Sequence, residues 1–136
     1  LSGYTPNWTS SELLPHLADK LERQIAKTAL GAEKTVKITS GKDILADLRA
    51  LKEKGWQIVG LENNITDSRL LALNSPKLKE KLGEKVVLVL GEEVEGIDSS
   101  LYDLIDLFVE IPMKGQKESF NVSVAAGIAL YGLTTL

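Results

Sequence analysis

The sequence has no cysteine in its 136 residues, which excludes disulfides and thiolate metal sites. Its one histidine, His16, stands in a surface-like stretch without such partners and reads as neither metal ligand nor base. No Ser/His/Asp arrangement and no metal cluster is visible. Aromatic residues make up only 5% of the chain, and Trp8 and Trp56 read as packing residues rather than stacking platforms. No apolar run approaches the roughly 20 residues that span a bilayer. The opening "LSGYTPNWTSS" lacks the charged and apolar regions of a signal peptide. The expectation is a cytoplasmic protein with no membrane segment, in a single domain over 1–136 that is long enough to bury a core.

Charge is unevenly placed. The formal net charge is −3. Up to Gly91 there are 14 Lys and Arg against 11 Asp and Glu; from Glu92 onward there are 2 against 8. A basic surface on the first part and an acidic second part would follow, although solvated helix faces give the same pattern. Lys20, Arg23, Lys27 and Lys34 are the candidates for contact with a polyanion.

Apolar periodicity gives the elements. Leu17, Leu21 and Ile25, spaced by four, predict a helix within 11–30 that Pro15 allows to start only there and that Gly31 stops. "TVKIT" (35–39) predicts a strand. Ser40 is placed to cap a helix over 43–54 with Ile44, Leu45, Leu48 and Leu51 on its apolar face. "WQIVGLE" (56–62) predicts a strand, 68–73 a short helix, and "KVVLVLG" (85–91) a strand in a sheet covered on both faces. A short helix over 99–105, a strand over 107–112 and a last helix over 119–133 complete the series. Strands alternating with helices imply an α/β fold with a mostly parallel sheet and helices on both faces.

Chemistry concentrates in the second half. "LVLGEEVEGI" (88–97) is a strand breaking at Gly91 into a glycine turn, a form that often cradles phosphate. Yet no Lys-Ser/Thr follows Gly96, G-x-G-x-x-G is incomplete, and Glu92, Glu93 and Glu95 would repel a pyrophosphate. A ligand without phosphate, carrying hydroxyls or positive charge, suits the loop better. By itself the loop reads as a tight strand-to-helix turn with solvated glutamates. In "EIPMKGQKESFNVSVAAGIALYG", Ser119 and Asn121 stand at a helix start, where such residues cap free N–H groups. The helix beyond contains Ala125, Ala126, Gly127 and Ala129, small residues that let another backbone come close.

These two stretches, with the pattern L-G-x-E-x-x-G-[IL] and then I-P-M-x-G-x-x-x-S-[LF]-N-V-S-x-A-x-x-I-x-L-Y, resemble the last two motifs of the SpoU/TrmH family of RNA ribose 2′-O-methyltransferases. "IAKTALGAEKTV" and the strand ending "GLE" are similar to small bacterial members, so the resemblance spans essentially the whole chain. It implies an α/β knot, the deep trefoil knot of SPOUT proteins, and homodimers with the pocket near the interface. It implies S-adenosylmethionine as cofactor, a sulfonium cation without phosphate, which answers the acidic turn. Leu61, Gly91, Ile111 and Phe120 would shape the adenosyl pocket, with Phe120 where family members usually carry Leu. Ser119 and Asn121 match the family's active-site polar pair, and Glu93 matches its motif glutamate. A carboxylate at sulfur would favour the ground state over the transition state, so Glu93 is assigned to fixing the loop or positioning groups near the acceptor.

The family's first motif, an N-x-G-x-x-x-R-T-A-like segment, lies upstream of a strand resembling "LSGYTP" and carries the arginine that activates the ribose hydroxyl. Arg23, Arg49 and Arg69 match no family motif. The expectation is a member lacking its first strand and helix, with little or no methyl transfer as it stands. A non-catalytic protein that binds RNA or S-adenosylmethionine on the same fold is the alternative. tRNA and rRNA are the partners implied.

Overall fold

The computed structural model describes residues 14–92, 95–115 and 119–135. The readings placed on 1–13, including Trp8, lie outside them. The chain divides into two compact units, Leu1–Asp47 and Leu48–Leu136.

In the first unit α1 runs over Pro15–Ala29, with Pro15 in the opening turn where its missing N–H costs nothing. None of its residues is buried. Leu30, at φ 52°, and Gly31, at φ 96°, turn the chain out of the helix into a short 3-10 turn over Ala32–Lys34. The strand expected over 35–39 does not form. The N–H groups of Thr35 and Val36 both bond back to Ala32 O at 3.0 Å, which takes the donors a sheet ladder would need.

Helix α2 (Ile44–Glu53) crosses the boundary between the units. Its cap is Asp43 rather than Ser40: Asp43 Oδ1 accepts the Ala46 N–H at 3.0 Å. It ends in a Schellman motif, with Trp56 N–H bonded to Leu51 O at 3.1 Å and Gly55 N–H to Lys52 O at 2.9 Å. Gly55, at φ 78°, supplies the left-handed residue this motif requires.

The second unit is a parallel four-stranded sheet, β1 (Gln57–Leu61), β2 (Leu70–Ala72), β3 (Val86–Leu90) and β4 (Leu107–Glu110), in the order β2-β4-β1-β3. Leu61 pairs with Leu90 on one side and Val109 on the other. β2 occupies the stretch expected to be helical. Asp67 Oδ1 accepts the Arg69 N–H at 2.8 Å, closing a turn, and Leu70 and Leu71 then pair with Phe108 and Val109; tertiary pairing overrides local helix preference. A short helix missing from the sequence reading, α3, covers Pro76–Lys81. The all-apolar β3 is an edge strand of the described sheet, with only Val89 buried. The deeply buried strands are β1 and β4.

Alternation sorts the side chains into two layers. Val59, Leu61, Leu107, Val109 and Ile111 join Leu73, Leu78 and the last helix, α4 (Val122–Thr135), through Ala125, Ala129 and Leu133. The small residues of α4 permit this approach: Ala129 is fully buried, and a Cβ on Gly132 would lie 2.9 Å from Leu73. On the opposite face Phe108 packs with Ile97 across Gly60 and against the Tyr102 ring, 4.9 Å away. Tyr102 belongs to a 3-10 helix over Ser99–Leu104. Among the described residues, no helix is long and apolar enough to cross a membrane.

Candidate functional site

Strands β1, β3 and β4 end side by side, and each runs straight into a loop. In open parallel sheets this carboxyl edge is where ligands bind. A pocket of about 400 Å³ opens there. Leu61 and Ile111, 9% and 8% exposed, line it from the ends of β1 and β4. Gly91 follows β3, and Ser119 and Phe120 approach from the segment before α4. The pocket thus gathers all four residues expected to shape the adenosyl site, together with Ser119.

The turn after β3 is a small closed loop. Glu92 and Gly96 exchange two backbone hydrogen bonds, at 3.1 and 3.2 Å, and Glu92 Oε1 accepts the Glu95 N–H at 3.1 Å. Gly91 packs directly on the backbone of Gly96 and Ile97, so close that a Cβ there would overlap the Gly96 carbonyl. Glycine is required at 91 by the loop's own backbone, before any ligand enters.

Asn121 plays the capping part. Its Oδ1 accepts the Ser123 N–H at 3.0 Å and the Ser123 hydroxyl at 2.6 Å, while its carbonyl accepts the Ala125 N–H at 2.9 Å. It does not line the pocket, whereas Ser119 lines it and is exposed. Glu93 lies outside the described residues.

Two residues absent from the sequence reading stand at the centre. Glu62, just past β1, lines the pocket, and its Oε2 accepts the Ile97 N–H at 2.7 Å. Asn63 bonds to both backbone groups of Ile111, at 3.0 and 3.1 Å. The available signal was a polar pair immediately after a fully apolar strand at the carboxyl edge of a parallel sheet. Tyr102 also lines the pocket; burial, with Glu62 and Asp67 nearby, raises its hydroxyl pKa.

The pocket's charge is one-sided. Glu62, Glu92 and Glu95 line it, and among the described residues none that lines it is Lys or Arg. Arg69 is committed elsewhere. It pairs with both carboxylate oxygens of Asp67, at 2.9 and 2.6 Å, donates to Tyr102 O and Ile105 O, and lies 5.0 Å from the Phe108 ring centre. In the first unit His16, Lys20, Arg23 and Lys27 fall on one stripe of α1 by their spacing of four, three and four.

Comparison with known proteins gives a consistent result. The profile of the SpoU rRNA Methylase family matches residues 12–131. The 23S rRNA (guanosine-2′-O-)-methyltransferase RlmB of Xylella fastidiosa is 36% identical over 107 residues, covering 79% of this chain and 40% of the relative. The TrmH/SpoU tRNA modifying enzyme of A. aeolicus superposes with a TM-score of 0.62 at 28% identity, over 81% of this chain and 52% of that one. The AdoMet-bound rRNA methyltransferase of Sinorhizobium meliloti, 19% identical, superposes with a TM-score of 0.70 over 98% of this chain and 44% of its own, which is a likeness of fold. The chain thus spans about two fifths of the length of the curated relative described here.

Proposed function

We propose that this chain, which belongs to the SpoU rRNA methylase family, takes part in methyl transfer from S-adenosylmethionine to a ribose 2′-hydroxyl of tRNA or rRNA. The observation that carries the reading is the pocket at the ends of β1, β3 and β4, whose lining, among the described residues, combines an apolar floor with three carboxylates and no cationic side chain. That set disfavours a polyphosphate and suits an adenosyl group joined to a positive centre. Leu61, Ile111 and Phe120 offer the apolar surface for the adenine ring, and the Gly91 turn brings backbone close to it. When bound, the cofactor supplies the methyl group and the positively charged sulfur.

The chain's own residues bind and position. A carboxylate beside the sulfonium stabilises the ground state, a charge that methyl transfer removes, so Glu92 and Glu95, the pocket acids not tied to the Ile97 N–H, serve binding rather than rate. A ribose hydroxyl is a weak nucleophile at neutral pH and needs a group that takes or displaces its proton. Ser119 lines the pocket, which supports giving it the hydrogen bond to the acceptor. Asn121, by capping α4, holds the segment that carries Ser119. Glu93 keeps its assignment to the turn.

Family membership is also the ground for inferring one methyltransferase domain with a trefoil knot in its C-terminal part, a cytoplasmic place of action, and a working dimer. Val124, Ile128 and Tyr131 form an exposed apolar stripe on α4, 49%, 37% and 74% exposed, which a second copy would cover. Titration with S-adenosylmethionine, followed by incorporation of labelled methyl into tRNA and rRNA, tests the reading. Sedimentation tests the dimer.

A further inference from the structure

β1 sits between β4 and β3, and the two residues after it reach in opposite directions. Asn63 turns to the segment after β4, as described. Glu62 continues the backbone ladder towards β4, its N–H bonded to Val109 O at 3.0 Å, but sends its carboxylate the other way, to the Ile97 N–H. Ile97 is 3% exposed, its side chain packed over Gly60 beside Phe108. Its N–H has left the internal bonding of the 92–96 loop, so a side chain must satisfy it. The carboxylate lies in the space that Gly96 leaves, and any Cβ at Gly96, which also has φ 71°, would displace it.

We propose that Glu62 is a positioning residue of the pocket: through the Ile97 N–H it hitches the Gly96–Ile97 backbone, against which Gly91 packs, to the end of β1 and so sets the width of the cleft into which the methyl donor fits. This rests on the reading that the pocket binds S-adenosylmethionine. It assigns Glu62 work by reach, not by its charge acting on the sulfonium.

Reach and charge separate by substitution. Glu62→Gln keeps an acceptor at the same distance for the Ile97 N–H and loses the charge, together with the 3.2 Å bond that the other oxygen accepts from the Asn63 N–H. Glu62→Asp keeps the charge and is one methylene too short to reach Ile97. Calorimetric titration with S-adenosylmethionine and with the neutral S-adenosylhomocysteine is expected to give Glu62→Gln dissociation constants within about threefold of wild type for both ligands. Glu62→Asp should weaken both by at least about tenfold, a difference of about 1.4 kcal/mol. In a methyl-transfer assay the loss in Glu62→Asp should fall on KM for the cofactor. A Glu62→Gln protein that loses the cation but keeps the neutral ligand would overturn the proposal in favour of a charge role, and an Asp variant that binds like wild type would overturn it outright. Amide hydrogen exchange at Ile97 in the ligand-free chain gives a readout independent of cofactor. Exchange should be at least about tenfold faster in Glu62→Asp and near wild type in Glu62→Gln; unchanged protection in both refutes the proposal even if the chain binds no cofactor at all.

Discussion

Asn63 grips Ile111 by both of its backbone groups: Nδ2 donates to Ile111 O at 3.0 Å, and the Ile111 N–H donates to Oδ1 at 3.1 Å. One side-chain amide thereby replaces the strand partner that Ile111 loses where β4 leaves the sheet. Ile111 is 8% exposed, so water does not easily take over. Asn63→Ala would strand both groups. At about 1–3 kcal/mol for each buried group left unpaired, the expected loss is about 2–6 kcal/mol, read as a lower urea midpoint with unchanged slope.

Gly91→Ala places a Cβ on the backbone of Gly96 and Ile97. The Glu92–Gly96 loop must open to admit it. Overpacking of this kind costs about 1–3 kcal/mol, and a calorimetric titration should show affinity for S-adenosylmethionine reduced by at least about tenfold. Wild-type affinity in this variant would mean that the turn does not shape the site.

Asp67 titrates with a pKa of about 2, lowered from 3.8 chiefly by the side-chain hydrogen bond from Arg69 and then by the Arg69 backbone N–H. A carboxyl whose pKa is lower folded than unfolded adds stability above its unfolded value, and that contribution disappears as the pH falls through the folded one. Urea unfolding of wild type and Asp67→Asn should therefore differ in favour of wild type at pH 7. The gap should hold down to about pH 4 and close towards pH 2.

RNA binding through α1 would be electrostatic. Lys20, Arg23 and Lys27 share a stripe of that helix. Replacing all three with Ala should flatten the dependence of log affinity on log salt by about 2, at roughly 0.7 per phosphate contact on a single strand. An unchanged slope would move the RNA surface elsewhere.

Much of this was readable in the residues. The Leu/Ile spacing of α1 marks a helix, although none of its residues is buried, and the apolar runs of β1 and β4 mark the strands that are. The grouping of Leu61, Gly91, Ile111 and Phe120 came from the family resemblance; they line one pocket because strand ends of a parallel sheet converge at one edge. What was missed depends on partners distant in sequence. The stretch 68–73 looks helical until β4 offers it a ladder, and "TVKIT" looks extended until Ala32 O takes its donors. Glu62 and Asn63 look like solvated loop residues, since nothing local reveals that Ile97 and Ile111, 35 and 48 positions on, need their oxygens and amide.

The most direct test is calorimetric titration of the 136-residue chain with S-adenosylmethionine, alongside ATP as a nucleotide of opposite charge. Saturable one-site binding of S-adenosylmethionine, lost in Gly91→Ala, with no heat from ATP, is the expected result. Binding of ATP in preference to S-adenosylmethionine, or no binding of S-adenosylmethionine by a folded chain, would contradict the assignment of the pocket.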